Sequence, residues 1–360
     1  MQAASEIEIK AMFRCLELAE KGLKFVAPNP MVGCVILHQD KIIGEGYHMI
    51  YGGPHAEVNA VAAVEPENRH LLPDCTLVVS LEPCAHHGKT PPCLNLVIEK
   101  GFKRIVIGTT DPNPKVGGKS IEKLIELGRS VTVGVLAAEC RSLNKRFFCF
   151  QEKKRPYTIL KWAQTADGWI GNKDTHERLL ITGEETNQLV QHWRSEEAAI
   201  LVGTQTALLD NPALSARPKA QNRQPLRVVL DRNLTLPQNL QLFDDSQPTL
   251  VIHTGNSPNR TSTQTYYQST DNLSVKAIQA ILFEQKITSC IVEGGSSLLQ
   301  AFINNNSWDE IRVITSFRTK SALNSQYPGV PSPNFAITEC QMVNKTTTST
   351  DVIDIYTPLK

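Results

Sequence analysis

The chain has 360 residues, with 37 Lys and Arg against 36 Asp and Glu, and 41% of it is hydrophobic. That length exceeds what one core usually supports, so two domains are expected, and the balanced charge gives no global pull toward nucleic acid or an anionic membrane. No apolar run reaches a bilayer span, the start with Glu6 and Glu8 lacks the apolar core of a secretory signal, and nine cysteines, an odd number, fit a reducing cytoplasm better than a disulfide framework.

Ile7 to Gly22 is predicted as an amphipathic helix, with Ile7, Ala11, Cys15, Leu18 and Ala19 on one face. Pro28-Asn29-Pro30 is a rigid turn. Val32 to Leu37 and Lys41 to Gly46 form an expected hairpin, and His48 after it reads equally as a surface-loop histidine or as part of a site. Gly52-Gly53-Pro54 marks a turn into an apolar, helix-friendly run from Ala56 to Val64. Thr76 to Leu81 reads as a buried strand ending at Glu82-Pro83-Cys84, and Leu94 to Lys100 as a helix entered through Pro91-Pro92-Cys93. Arg104 to Gly108 and Val131 to Val135 are further strands, with a helix from Ser120 to Leu127 between them. Ala137 to Cys149 is predicted as one basic helix. The alternation implies a three-layer α/β domain over residues 1–150.

One constellation in this half carries chemistry. His55-Ala56-Glu57 is followed by Pro83-Cys84 and then Cys93. One imidazole and two thiolates suit zinc, and three protein ligands leave the fourth tetrahedral position open, as catalysis requires. Glu57 is then spare, free to move protons. His-x-Glu followed by Pro-Cys and a second Cys is the arrangement of zinc deaminases; here the two cysteines are further apart, with a His/Gly/Lys/Pro-rich insert between them. His86 or His87 as a fourth ligand is the competing reading and would close the site. Cys15, Cys34, Cys75 and Cys290 sit among apolar neighbours and read as small core residues.

A polar stretch from Glu152 to Pro156 separates a second domain over residues 155–360. Tyr157 to Ala163, Ala199 to Gly203, Leu226 to Leu230, Thr249 to His253, Ser289 to Val292 and Asp309 to Thr315 read as strands. Helices are expected from Thr182 to about Arg194, from Val275 to Glu284 and from Ser296 to Asn304. Thr254 to Ser274, rich in Ser, Thr, Asn and Gln, reads as an extended surface segment. Asp351 to Tyr356 is expected as an edge strand. There is no GxGxxG fingerprint. Strand, Glu293-Gly294-Gly295, then helix could cradle a phosphate, although a glycine pair is also an ordinary tight turn.

The block His55-Ala56-Glu57 with Pro83-Cys84-Ala85-His86-His87-Gly88-Lys89-Thr90-Pro91-Pro92-Cys93 closely resembles the bifunctional riboflavin-biosynthesis deaminase/reductase family. Pro28 to Gly33, Gly46-Tyr47-His48 and Thr110 to Pro114 match its deaminase half. Lys161 to Gly168, Ile181-Thr182-Gly183, Asp210 to Arg217, Arg227 to Asp231 and Glu293-Gly294-Gly295 match its reductase half, in family order. One departure is Thr165-Ala166, where members commonly carry Ser-Leu; Thr keeps the hydroxyl and Ala is a smaller packing residue.

The resemblance implies a cytidine-deaminase-like N-terminal domain and a dihydrofolate-reductase-like α/β C-terminal domain. It implies a phosphoribosylaminopyrimidine substrate, 2,5-diamino-6-(5-phosphoribosylamino)pyrimidin-4-one, with NADPH for the second step. His55, Cys84 and Cys93 would then hold Zn2+ with Glu57 as acid and base. Asn29 and His48 would meet the pyrimidine or its sugar, and His86 and Lys89 the phosphoribosyl end. Lys161 and Asp210 would lie near the reacting sugar, Asp210 also serving the cofactor. Arg194 and Arg217 would take the phosphate, Glu293 the sugar hydroxyls, and Thr182, Thr206, Gly294 and Gly295 the cofactor. Arg194 as an ordinary helix-surface residue and Asp210 as a turn former stay open. A cytoplasmic homodimer acting on a small molecule, apart from nucleic acid and membrane, completes the expectation. The rival is a zinc deaminase acting on a nucleoside or nucleic-acid base with a C-terminal binding module; the absence of a basic stripe with interleaved aromatics weighs against it.

Overall fold

The computed structural model describes residues 3–85, 91–113, 117–173, 175–217, 224–256, 264–323 and 325–359. The chain divides into two compact units, Met1–Lys154 and Arg155–Lys360. Among the described residues no helix is long and apolar enough to cross a membrane.

The first unit runs α1 (Glu6–Glu20), β1 (Gly33–His38), β2 (Lys41–Tyr47), α2 (Ala56–Ala62), β3 (Thr76–Leu81), α3 (Cys93–Glu99), β4 (Arg104–Thr109), α4 (Lys119–Glu126), β5 (Ser130–Val133), α5 (Ala137–Leu143) and α6 (Lys145–Lys153). Ser5 and Glu8 start α1 with a reciprocal capping box, each side chain serving the other's backbone N–H. The sheet order is β2-β1-β3-β4-β5, with β3, β4 and β5 parallel and β1 and β2 antiparallel. Side-chain alternation splits the core in two. Cys34, Ile36, Leu77, Val79, Ile105 and Ile107 pack under α2, α3 and α4. Val35, Leu37, Val78 and Val106 face α1 and α5. The result is the expected three-layer α/β arrangement. Cys15, Cys34, Cys75 and Cys290 are buried, as their apolar neighbours imply.

The single helix predicted from Ala137 to Cys149 is two. Asn144 breaks it, and its side-chain amide pairs with both the N–H and the C=O of Met31, at 2.8 Å each. A polar side chain serving backbone more than a hundred residues away carries no local signal. This pair also anchors the turn that holds Asn29.

The second unit runs β6 (Tyr157–Gln164), β7 (Trp169–Asn172), α7 (Glu184–Glu196), β8 (Ala199–Gly203), α8 (Thr204–Asp210), β9 (Leu226–Leu230), β10 (Thr249–His253), β11 (Thr265–Ser269), α9 (Val275–Glu284), β12 (Ser289–Gly294), α10 (Ser296–Asn304), β13 (Glu310–Ser316), β14 (Gly329–Pro331), β15 (Cys340–Thr347) and β16 (Asp351–Pro358). Its sheet order is β11-β10-β9-β8-β12-β6-β13-β16-β15, parallel up to β13 and antiparallel beyond. β7 and β14 form a separate ribbon. One face packs Leu160, Leu201, Val228, Leu250 and Val292 against α9 and α10. The other packs Ile314 and Ile353 against Val190 and Trp193 of α7.

Two expectations are corrected here. Part of the Thr254–Ser274 stretch is β11, an edge strand paired on one side only, which needs no continuous apolar pattern. Asp351–Pro358 is interior rather than an edge, because β15 covers it. β15 is polar and largely exposed, so its sequence gives no strand signal. In the turn after β6, Thr165 is buried and its Oγ1 accepts the N–H of Trp169 at 3.0 Å, so the hydroxyl retained at this position is in use.

Candidate active sites

The metal-type cluster is assembled by two strand-to-helix junctions. His55 is the N-cap of α2 and Glu57 lies in its first turn. Cys84 follows β3, and Cys93 opens α3 directly after Pro92. Gly46 lets α2 press onto β2, since a Cβ there would meet the backbone of Asn59 and Ala60. The Asn59 amide reinforces this by donating to the Tyr47 carbonyl at 2.7 Å.

His55 Nδ1 lies 3.6 Å from Cys84 Sγ and 3.3 Å from Cys93 Sγ. The three ligand atoms all fall within 4.8 Å of one another. A tetrahedral zinc with Zn–N of about 2.0 Å and Zn–S of about 2.3 Å separates its ligands by roughly 3.5–3.8 Å, close to the observed separations, so the cluster fits the ion. The electrostatics agree. The Cys93 thiol first, then His55 and the Cys93 backbone N–H, pull Cys84 well below the usual thiol range against the opposing effect of burial. His55 is raised, chiefly by its contact with Cys84. The hydrogen bond between the Cys93 thiol and Cys84, then burial, and then the nearby charges of Glu57 and Cys84 push Cys93 upward. A cation would relieve that conflict and stabilise both thiolates. Glu57 is 3% exposed and touches Cys93, and burial raises its carboxyl above the usual range. That is the protonation behaviour a general acid/base needs. His86, expected near the phosphoribosyl end or as a fourth ligand, and likewise His87 and Lys89, fall outside the described residues.

His48 is buried, not a surface-loop residue. Its Nδ1 meets the Pro54 carbonyl at 2.9 Å, its Nε2 meets the Asn29 amide at 3.1 Å, and its ring stands edge-on to that of His55. Asn29 and His48 therefore lie together beside the metal ligands.

In the second unit the carboxyl ends of β6, β8 and β12 lie on one sheet edge, where ligands bind in open α/β sheets. Lys161 of β6 and Glu293 of β12 come within 3.9 Å. Arg194 of α7 closes a two-pronged contact on Glu293 at 2.7 and 2.5 Å, and its remaining Nη1 reaches the Ser215 carbonyl at 3.3 Å. Arg194 is thus neither a solvent-facing residue nor, in this arrangement, a free phosphate ligand: its fork is engaged by Glu293. Burial alone would raise Glu293, but Arg194 and Lys161 outweigh it and hold the carboxylate at about 2. Burial lowers Lys161, and Glu293 opposes that.

Thr206 in α8 lies against the Gly294–Gly295 turn, where a Cβ on Gly295 would sit 3.2 Å from its hydroxyl. Gly294 has φ 145°, a value that favours glycine. Asp210 ends α8, half-buried, with burial raising its carboxyl and the Arg178 charge opposing. Arg217 is exposed, its backbone N–H held by Gln191 of α7 at 3.1 Å. Thr182 precedes α7 and donates to Asn187 at 2.9 Å. Among the described residues, Asp210, Arg217 and Thr182 make no hydrogen bond or ion pair to the Lys161–Glu293–Arg194 cluster. Sequence reasoning missed Asn59, Asn144 and Asp351; all three act on backbone groups of other segments, which leaves no local pattern.

The family model described as cytidine and deoxycytidylate deaminase zinc-binding region matches residues 5–109, and that described as RibD C-terminal domain matches residues 156–316. The chain is 41% identical over 302 residues to riboflavin biosynthesis protein RibD of Actinobacillus pleuropneumoniae, covering 81% of this chain and 78% of the relative. The crystal structure of a diaminohydroxyphosphoribosylaminopyrimidine deaminase/5-amino-6-(5-phosphoribosylamino)uracil reductase from Thermotoga maritima superposes with a TM-score of 0.87 at 34% identity, covering 98% of this chain and 99% of that one. Acinetobacter baumannii RibD gives 0.86 at 29% identity, with 99% of each chain covered. Likeness of this extent spans both units and not the metal cluster alone, so the chain belongs to the RibD family of bifunctional riboflavin-biosynthesis deaminase/reductases.

Proposed function

We propose that the first unit deaminates 2,5-diamino-6-(5-phosphoribosylamino)pyrimidin-4-one at C2 and that the second reduces the ribosyl group of the product to ribityl. The observation that carries the reading is the three-ligand set found among the described residues, His55, Cys84 and Cys93, with Glu57 buried beside it. Zinc held by these three ligands would acidify a water toward neutral pH. Glu57 takes the proton of that water as oxygen adds to C2. It passes that proton to the ring nitrogen, then takes the second proton from the hydroxyl now on C2 and gives it to the departing amine, which leaves as ammonia as the C2 carbonyl forms. Asn29 and His48 orient the pyrimidine, and His86 and Lys89 serve its phosphoribosyl end.

In the second unit NADPH, when bound, would supply the hydride that C1′ of the opened sugar takes up. Lys161, held by Glu293, offers an ammonium proton to the reacting sugar, and Glu293 accepts from its hydroxyls. Arg217, exposed and carried by the segment that Gln191 and Arg194 hold, meets the phosphate. Arg194 reaches a phosphate only by releasing Glu293, so we assign it to orienting that carboxylate. Thr182, Thr206, Asp210, Gly294 and Gly295 line the dinucleotide. The enzyme works as a cytoplasmic homodimer on a small molecule; its near-zero net charge offers nucleic acid no electrostatic attraction.

The test is incubation of the zinc-replete protein with the diaminopyrimidinone ribosyl phosphate, followed by mass spectrometry with and without NADPH. Exchange of one amino nitrogen for oxygen is expected without cofactor, and a further gain of two hydrogens with it. Deamination alone would reduce the second unit to a binding module. No ammonia release would remove the substrate assignment and bring nucleosides or nucleic-acid bases forward.

A further inference from the structure

Asp351 opens β16 and is fully buried. Its Oδ2 accepts the backbone N–H of Gly183 at 3.1 Å, the Thr186 hydroxyl at 2.6 Å and the Thr350 hydroxyl at 2.8 Å. Its Oδ1 has no hydrogen-bond partner among the described residues. Gly183 is the N-cap of α7, and a side chain there would collide with Thr350. The contact is reinforced on both flanks. Glu185 accepts the N–H of Ser349 at 3.3 Å, and Arg318 donates to the Ile181 carbonyl at 3.0 Å. The first turn of α7 is therefore fixed by the turn between β15 and β16, a segment more than 160 residues away, and Thr182 lies between Gly183, which that turn holds, and Ile181, which Arg318 after β13 holds.

A carboxylate at this point also decides what the α7 N-terminus can hold. The open N–H groups of a helix start attract anions. Here Asp351 already supplies the negative charge, and a second anion would be repelled. We propose that Asp351 is a positioning residue of the reductase half: it closes the α7 N-terminus to phosphate and sets Thr182 to meet an uncharged part of the dinucleotide. This rests on the reading of Thr182 as a cofactor residue.

The experiment uses the full-length protein and its Asp351→Ala, Asp351→Asn and Thr186→Val variants. NADPH affinity is read by cofactor fluorescence, KM is measured separately for NADPH and for the deaminated phosphoribosyl substrate, and melting temperature is followed. Losing charge-assisted hydrogen bonds at the loop should weaken NADPH binding about tenfold in Asp351→Ala. The KM for the pyrimidine and kcat at saturating NADPH should stay within about twofold. Asp351→Asn keeps an acceptor for Gly183 and Thr186 and should recover most of the affinity. NADPH affinity unchanged in folded Asp351→Ala overturns the inference, as does equal weakening toward both ligands with no recovery in Asp351→Asn. If Asp351→Ala does not fold, Thr186→Val decides by the same split: selective loss supports the role, and uniform loss or none removes it. Wild-type protein that fails to bind NADPH brings down the cofactor reading itself and this inference with it.

Discussion

The Asn29 amide nitrogen meets Nε2 of His48 at 3.1 Å, while Nδ1 of the same ring meets the carbonyl of Pro54 at 2.9 Å. A carbonyl can only accept, so Nδ1 carries the proton and Nε2 accepts from Asn29. Burial lowers the histidine's pKa and keeps it neutral. Both ring nitrogens are used, so His48 aims Asn29 and steadies the turn into His55. In the proposed reaction its contribution to the substrate runs through Asn29. Asn29→Ala or His48→Ala should cut deamination about a hundredfold through misplacement of the ring, with NADPH-dependent reduction of the pre-deaminated substrate unchanged. Equal loss of both activities would point to unfolding instead.

Removal of the metal should separate the two activities in the same way. Dialysis against a chelator is expected to abolish ammonia release and leave NADPH binding intact. Elemental analysis of the untreated protein should give about one zinc per chain, and Cys84→Ser or Cys93→Ser should lower that content, because the hard hydroxyl is a poor exchange for a thiolate. Full zinc content in both variants would mean that the ion is held elsewhere.

Glu57 tests acid/base catalysis without disturbing the ligands. It is buried against Cys93 but is not one of the three clustered ligand atoms. Glu57→Gln keeps the shape and removes the proton carrier, so deamination should fall by about a hundredfold to ten-thousandfold at unchanged zinc content. Parallel loss of zinc would assign Glu57 to coordination.

How much of this was legible depended on whether a residue speaks through its own neighbourhood. His55, Glu57, Cys84 and Cys93 each occupy a turn whose glycines, prolines and flanking apolar runs can be read directly, and their chemistry names a metal. The layers of the first unit follow from alternation in Val35–Leu37 and Leu77–Val79. Arg194 gave no such information. Its spacing in α7 is that of a helix-surface residue; the pairing of β12 with β6 brings Glu293 to Lys161, and the packing of α7 on the sheet brings Arg194 to Glu293. Asn144 and Asp351 are the extreme case: their partners are backbone groups of Met31 and Gly183, which any residue type offers. β15 was silent for a related reason, since an exposed edge strand need not carry an apolar stripe.

Glu293 offers the sharpest pH prediction. Its folded pKa of about 2 lies below the unfolded glutamate value of about 4.3. A depressed carboxyl adds stability that is fully present above the unfolded value and is lost as pH falls from there through about 2. Acid unfolding of the second unit should therefore steepen below roughly pH 4, and Glu293→Gln should remove that component. The variant also leaves Arg194 and Lys161 buried without their counter-charge, at a cost of about 3–5 kcal/mol at neutral pH. The same change acts on Lys161. Burial already lowers its pKa, Arg194 pushes the same way, and Glu293 is the group that opposes them. Without the carboxylate the ammonium should give up its proton at lower pH, so the alkaline limb of the reduction profile should move toward acid in Glu293→Gln. A limb that stays in place would mean that Lys161 does not act as the protonated donor.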